Sequence, residues 1–226
     1  MKVSVHGHSV VRLETKTGTR LMIDPFINGN EQCDLVVDQI EVDYILVTHA
    51  HADHLGDTIE IAKNTGSKVI TTVELAEYLT SFDLDTHGMQ PGGAHKFDFG
   101  TVKMTPAIHG SSLTVDGIPT TLGLATGIII EADEKVLYHL GDTALFSDLK
   151  LIGELNEIDL AFIPIGDNFT MGPEDALVAA DWINAETVIP IHYNTFPLIE
   201  QNPKEFIDQL EKSEGRIPAI GEVFSI

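Results

Sequence analysis

Ten residues constrain this chain more than any others: Thr48-His-Ala-His-Ala-Asp-His-Leu-Gly-Asp57, where three histidines and a carboxylate occupy six consecutive positions. Core packing has no use for such a density. Imidazole nitrogens and carboxylate oxygens suit first-row divalent metals, and burying them together without a cation leaves several polar groups unpaired. His49 and His51 lie two apart, so an extended backbone projects both to one side, and Asp53 and His54 reach in from the turn that follows. Six residues can hardly wrap one ion from all sides, so a second, open-sided ion is expected. The alternative is a solvated His-rich loop with adventitious metal affinity.

The sequence leading into the cluster shapes the fold. Tyr44-Ile-Leu-Val47 is a continuous apolar run, typical of a strand buried on both faces, and it delivers His49. The design recurs: residues 135–140 end in Gly141-Asp142-Thr143, residues 160–163 end at Pro164-Ile-Gly-Asp167, and residues 188–191 end at His192. Each apolar strand is followed at once by a metal-competent residue, and in open α/β sheets sites collect outside the carboxyl ends of strands.

Around these runs, strands are expected at residues 2–5, 10–15 and 20–24, antiparallel about the Thr17-Gly18-Thr19 turn, with Asp24-Pro25 closing the third. Helices at 57–64, closed by Gly66, and 74–79 flank a strand at 68–72. Residues 86–94, rich in Gly, Pro and His, read as a loop or lid. Strands at 96–99 and 102–106 lead to His109, residues 126–132 pair with 135–140 around Asp133-Glu134, and Pro173 opens a helix through Trp182. No linker, low-complexity tract or repeat interrupts the chain. Residues 1–226 therefore read as one α/β domain, two sheets between helical layers.

Composition narrows the class. A hydrophobic content of 43% supports a substantial core, no apolar run is long enough to cross a membrane, and Met1-Lys2-Val3-Ser4-Val5-His6 lacks the features of a signal peptide, so a soluble cytoplasmic protein is expected. The single cysteine, Cys33, excludes an internal disulfide and reads as structural. A net charge of -22 repels polyanions, which disfavours long nucleic acid and favours a small-molecule substrate.

At His49-Ala-His51-Ala-Asp53-His54 the sequence resembles the metallo-β-lactamase fold superfamily, whose H-x-H-x-D-H pattern is joined by a later His, an Asp and a last His, here His109, Asp142 and His192. His6-Gly-His8-Ser, Asp24-Pro-Phe, residues 162–175 and residues 190–197 extend the likeness to a metal-dependent hydrolase family related to ascorbate-6-phosphate lactonase and N-acylphosphatidylethanolamine phospholipase D. The resemblance implies a four-layer αββα sandwich of the metallo-β-lactamase type. It further implies two divalent transition-metal ions, the first held by His49, His51 and His109, the second by Asp53, His54 and His192, with Asp142 bridging. Zinc is the first expectation; manganese and iron accept the same donors.

Two ions roughly 3.5 to 4 Å apart lower the pKa of a shared water from about 15.7 towards 7, supplying a hydroxide nucleophile, and Asp53 is the candidate to orient it and carry its proton. Metal-binding histidines usually donate their second N–H to a carboxylate or carbonyl. Asp24 is a candidate partner, or a plain turn residue before proline. His8 is either an active-site wall residue or a surface-turn histidine. Asp167, Asn168 and Thr170, ahead of a helix N-terminus, form either an anion-docking loop for a substrate phosphate or carboxylate or an ordinary capping loop. Tyr193 and Asn194 either touch substrate or brace their loop. His139 alternates away from Asp142 and is no candidate ligand, and His87 and His95 read as loop histidines. The expected function is dinuclear hydrolysis of a small ester, lactone or phosphodiester. A nuclease or RNA-processing phosphodiesterase and a non-catalytic metal-holding binding protein are the alternatives, and homo-oligomerisation is left open.

Overall fold

In the computed structural model, which describes residues Met1–Ile226, the chain opens with three antiparallel strands, β1 (Lys2–Val5), β2 (Val11–Glu14) and β3 (Arg20–Ile23). β4 (Tyr44–Leu46) runs parallel to β3, and the short helix α1 (Ala52–Leu55) follows it. Next come α2 (Thr58–Thr65), β5 (Lys68–Thr72), α3 (Val73–Thr80) and β6 (Thr86–Met89), with β4, β5 and β6 mutually parallel. The second half begins with β7 (Ala94–Phe97) and β8 (Gly100–Pro106), then the hairpin β9 (Ser112–Val115) and β10 (Ile118–Thr121), then β11 (Thr126–Ala132) and β12 (Lys135–His139). It closes with α4 (Asp148–Leu155), β13 (Leu160–Pro164), α5 (Pro173–Ile183), β14 (Thr187–Ile191), α6 (Pro203–Ile207), β15 (Glu214–Gly215) and β16 (Phe224–Ser225).

Two seven-stranded sheets result, ordered β16-β1-β2-β3-β4-β5-β6 and β15-β14-β13-β12-β11-β8-β7. Their apolar alternation explains the layering. Leu21 and Ile23 of the first sheet and Ile128 and Ile130 of the second point between the sheets, where they join Leu46, Ile70, Met104, Phe162 and Ile189. The intervening Met22, with Ile45 and Val69, faces Ile61 of α2 and Leu75 and Leu79 of α3. Ile129, Tyr138, Ile163 and Val188 face Leu149 of α4, Ala176 and Ala180 of α5 and Phe206 of α6. Both faces of each sheet are covered, so the central strands read as unbroken apolar runs.

The expected lid at residues 86–94 is not one. β6 pairs in parallel with β5 from Val69↔Thr86 to Thr72↔Met89, β7 pairs with β8, and the turn between them is tied to β8 by Gly92 N→Met104 O and Met104 N→Gly93 O. The segment is the crossover from the edge of one sheet to the edge of the other. Backbone pairing, indifferent to side-chain type, overrides a Gly- and His-rich composition. The expected strand at 96–99 accordingly shifts to Ala94–Phe97. His87 and His95 stand on these edge strands, not in a loop, with ring centroids 4.3 Å apart, and neither belongs to a cluster of metal-competent residues.

Candidate metal centre

The ends of strands from both sheets deliver the donors. His49 follows β4, and α1 carries Asp53 and His54; His109 follows β8, Asp142 follows β12 and His192 follows β14. α1 begins where the chain leaves the strand and needs only four residues to turn Asp53 and His54 back toward His49. Gly56, at φ 45°, ends it; a Cβ there would sit 2.3 Å from the Pro25 carbonyl oxygen, so only glycine lets the helix end pack on the Asp24-Pro25-Phe26 turn. The sheets are laced together at this edge: Thr126 donates from its amide and hydroxyl to the Thr48 carbonyl, and the His192 amide donates to the His8 carbonyl. His8, Asp24 and His192 all hold left-handed backbone, with φ of 53°, 47° and 55°. Strain of this kind at non-glycine residues persists where surrounding structure over-determines it, and it clusters at functional sites.

The donor atoms fall into two sets that share one carboxylate. His49 Nε2 lies 3.0 Å from His51 Nδ1, and His109 Nε2 lies 3.1 Å from the same atom. Four-coordinate zinc, with Zn–N of about 2.0–2.1 Å, holds its nitrogens roughly 3.3 Å apart, so this trio needs almost no rearrangement. The other set joins His54, His192, Asp53 and His8. Asp142 stands between: Oδ2 is 3.5 Å from His109 Nε2 and 3.0 Å from His192 Nε2, and Oδ1 is 3.2 Å from His54 Nε2.

Neighbouring hydrogen bonds fix the ring orientation of His54, His49 and His8. Asp24, fully buried, accepts at Oδ1 from the Thr48 amide at 2.8 Å, and at Oδ2 from the Thr48 hydroxyl and from His54 Nδ1, each at 2.7 Å. His54 is therefore protonated at Nδ1 and turns Nε2 to the centre. The Thr48 oxygen accepts in turn from His49 Nδ1 at 2.9 Å, which frees His49 Nε2 in the same way. His8 donates from Nε2 to Asp53 Oδ2 at 3.2 Å, since a carboxylate only accepts, and its Nδ1 accepts from the Thr195 hydroxyl at 2.9 Å. This relay sets Asp53. His139 points elsewhere: Nε2 donates to the Ser9 carbonyl and Nδ1 accepts from the Gly141 amide.

Burial and charge act together on these groups. His49, His51 and His109 are held below the usual histidine range, chiefly by burial, and stay neutral. Burial also lowers His54 and His192, but Asp142 together with Asp24 for His54, and with Asp53 for His192, outweighs it; His54 sits well above the ordinary value and His192 is pushed to about 9. Asp142 and Asp53, which burial alone would raise, are held well below the carboxylate range by the surrounding histidines, so both are ionised. His54 Nε2, Asp142 Oδ1 and both nitrogens of His192 are buried with no hydrogen-bond partner. Such orphaned atoms are rare in a finished fold; besides these four only the hydroxyls of Ser9, Thr58 and Thr72 lack partners, and His54 Nε2, Asp142 Oδ1 and His192 Nε2 all belong to residues of the candidate donor groups. The residues present fit divalent metal.

Beside the donors opens a cavity of about 540 Å³, reached by His51, Asp53, His109, Asp142 and His192 and walled by Phe169, Phe196, Pro197 and Leu198. These four apolar residues escaped sequence reasoning, although large apolar side chains a few residues beyond the strand ends at Pro164 and Ile191 were the available signal. Asp167, Asn168 and Thr170 do not line the cavity. They form a tight turn in which the amides of Phe169 and Thr170 both bond the Asp167 carbonyl, and Phe169 projects from it. Tyr193 packs against the apolar layer beneath α5. Asn194 braces its loop, donating from its amide to the Ile199 carbonyl and accepting at Oδ1 from the Gln201 amide.

Three comparisons bear on this arrangement. Residues 19–193 match the beta-lactamase superfamily domain family. UPF0173 metal-dependent hydrolases of Bacillus cereus and Bacillus thuringiensis are each 54% identical over 228 residues, covering 100% of this chain and 100% of theirs. The solved structure of a metallo hydrolase from the hyperthermophilic archaeon Ignicoccus hospitalis aligns with a TM-score of 0.90 at 36% identity, covering 100% of this chain and 98% of that one.

Proposed function

The chain belongs to the beta-lactamase superfamily, among its UPF0173 metal-dependent hydrolases, and on that premise we propose that it hydrolyses a small ester, lactone or phosphodiester at a centre of two divalent ions. The fold is accordingly the αββα sandwich of the metallo-β-lactamase type. The observation that carries the two-ion reading is the pair of donor sets, His49, His51 and His109 on one side and Asp53, His54 and His192 on the other, with Asp142 reaching both. Zinc is the first candidate, with manganese and iron compatible with the same nitrogens and oxygens.

When bound, such ions supply a water acidic enough to act as a nucleophile at neutral pH and positive charge for the oxygen that becomes negative in the transition state. The chain's residues do the rest. Asp53, ionised and facing the cavity, is placed to orient that water and would carry its proton to the leaving group. His8 and Thr195 hold its carboxylate in one orientation, which a base needs if the proton is to move between fixed points. Asp24 and Thr48 hold His54 and His49 in the tautomers that present Nε2. A net charge of -22 works against a long polyanionic substrate.

The test is elemental analysis of protein purified without added metal, followed by chelation and reloading across an ester, lactone and phosphodiester panel. Close to two ions per chain, activity lost on chelation, and a drop of at least about 100-fold in His51→Ala are expected. Normal turnover by stripped protein refutes the reading; loaded protein inert toward the whole panel points instead to a metal-holding binding protein.

A further inference from the structure

The metal-facing side of the cavity is built for chemistry, whereas its opposite wall is apolar. Phe169 and Leu198 are 50% and 66% exposed, and with Phe196 and Pro197 they converge on the donors from two different loops. Single exposed hydrophobics need no explanation, but a patch facing a reactive centre does. Both loops are held in shape. The Phe169 turn is closed by Asp167 N→Met171 O at 3.1 Å and anchored by Met171 N→Thr143 O at 3.0 Å; the Leu198 loop is closed by Asn194 N→Ile199 O at 2.8 Å. The wall is therefore preformed.

No lysine or arginine lines the cavity. The one segment whose position ahead of a helix suits an anion, residues 167–170, presents a phenyl ring, and its Asp167, Phe169 and Thr170 amides are already bonded within the turn. An anionic group on the non-reacting part of a substrate would lose water against this wall and gain no partner.

We propose that the substrate is a carboxylic ester or lactone whose non-reacting part is an uncharged apolar chain seated against Phe169 and Leu198. The proposal rests on the hydrolase reading and deepens it. Water adds to the acyl carbon, the acyl C–O bond breaks, and the proton water loses ends on the departing alkoxide, giving a carboxylic acid and an alcohol.

Metal-loaded protein assayed with p-nitrophenyl acetate, butyrate and hexanoate, with γ-butyrolactone and γ-decanolactone, and with bis-p-nitrophenyl phosphate tests this. A methylene moved from water onto one apolar wall raises kcat/KM about two- to fourfold, so the value climbs steadily from acetate to hexanoate and from the short lactone to the long one. Phe169→Ala and Leu198→Ala flatten that slope; both side chains are half or more exposed, and unchanged melting shows the fold intact. Introducing a cation with Leu198→Lys shifts preference toward the phosphodiester. Esters turned over with no chain-length dependence, or a wild-type preference for the phosphodiester, overturn this inference and leave the hydrolase reading standing. Failure on every substrate with both ions bound overturns the hydrolase reading itself. If the variants do not fold, the wild-type slope still decides.

Discussion

Replacing Asp24 by asparagine removes a charge and one acceptor from a fully buried hub without changing its shape. The carboxylate accepts from the Thr48 amide, the Thr48 hydroxyl and His54 Nδ1, at 2.7–2.8 Å. An amide has one accepting oxygen and one donating nitrogen. With the oxygen at the Oδ2 position, His54 keeps its acceptor but the Thr48 amide meets an NH2 group. Reversed, the NH2 faces His54 Nδ1, and the imidazole must carry its proton on Nε2, the atom otherwise turned to the centre. Either way one buried donor is unpaired, at about 1–3 kcal/mol.

For a chain of this length that lowers the melting temperature of the metal-free protein by roughly 2–12 °C. Losing the carboxylate partner of a ligand histidine costs about 10- to 100-fold in metal affinity, about 1.4–2.7 kcal/mol. The loss is expected at the set containing His54, while the set of His49, His51 and His109 retains its ion. Calorimetric melting of stripped protein and competitive zinc titration read the two effects separately, and Asp24→Ala, which strips both acceptor oxygens and all three hydrogen bonds, falls further on both. Two ions bound within threefold of wild-type affinity, with unchanged melting, would refute the reasoning.

His8→Ala frees Asp53 Oδ2 and should lower kcat about 10- to 100-fold while the ion held by His49, His51 and His109 remains bound, read from turnover and metal content together. Zinc loading at pH 7.5 should release up to about two protons per chain. His54 and His192 are raised and carry protons there, whereas His49, His51 and His109 are lowered and already neutral, and the share released by His192 should fade above about pH 9. Calorimetry in buffers of different ionisation enthalpy measures it, and no release shows that the carboxylates do not keep His54 and His192 protonated. Gly56→Ala combines a left-handed backbone with a clash on the Pro25 carbonyl, a cost of about 2–5 kcal/mol, so the melting temperature should drop by about 4–20 °C; an unchanged value would show that the turn relaxes freely.

Much of the fold was legible because strand signals are local. The apolar runs before His49, Asp142 and His192 became β4, β12 and β14, and the segment opened by Pro173 became α5. Where a segment's structure depends on partners distant in sequence, composition misled: β6 and β7 are strands only because β5 and β8 lie beside them. α1 is too short for any helical period to register. The hairpin of β9 and β10 did carry a local mark, Asp116-Gly117, whose φ values of 51° and 79° are those of a tight two-residue turn. Tertiary position also separated residues of one type: His8 entered the centre and His139 did not, although both follow or end strands and both are buried.

By itself the sequence marked the candidate donors, since ligand chemistry depends on residue type and the spacing of His49, His51, Asp53 and His54 is too short to be scattered by any fold. It also indicated where most of them go, because apolar strands carry His49, Asp142 and His192 to the same edge, although the same pattern at Asp167 ends in a turn outside the cavity. Only the tertiary structure decided which atom each donor presents, how Asp142 is shared, and what faces them across the cavity. Those depend on hydrogen bonds such as Asp24 to His54, 30 residues apart, and on loops from separate strands meeting in space. No local pattern encodes such meetings; two packed sheets do.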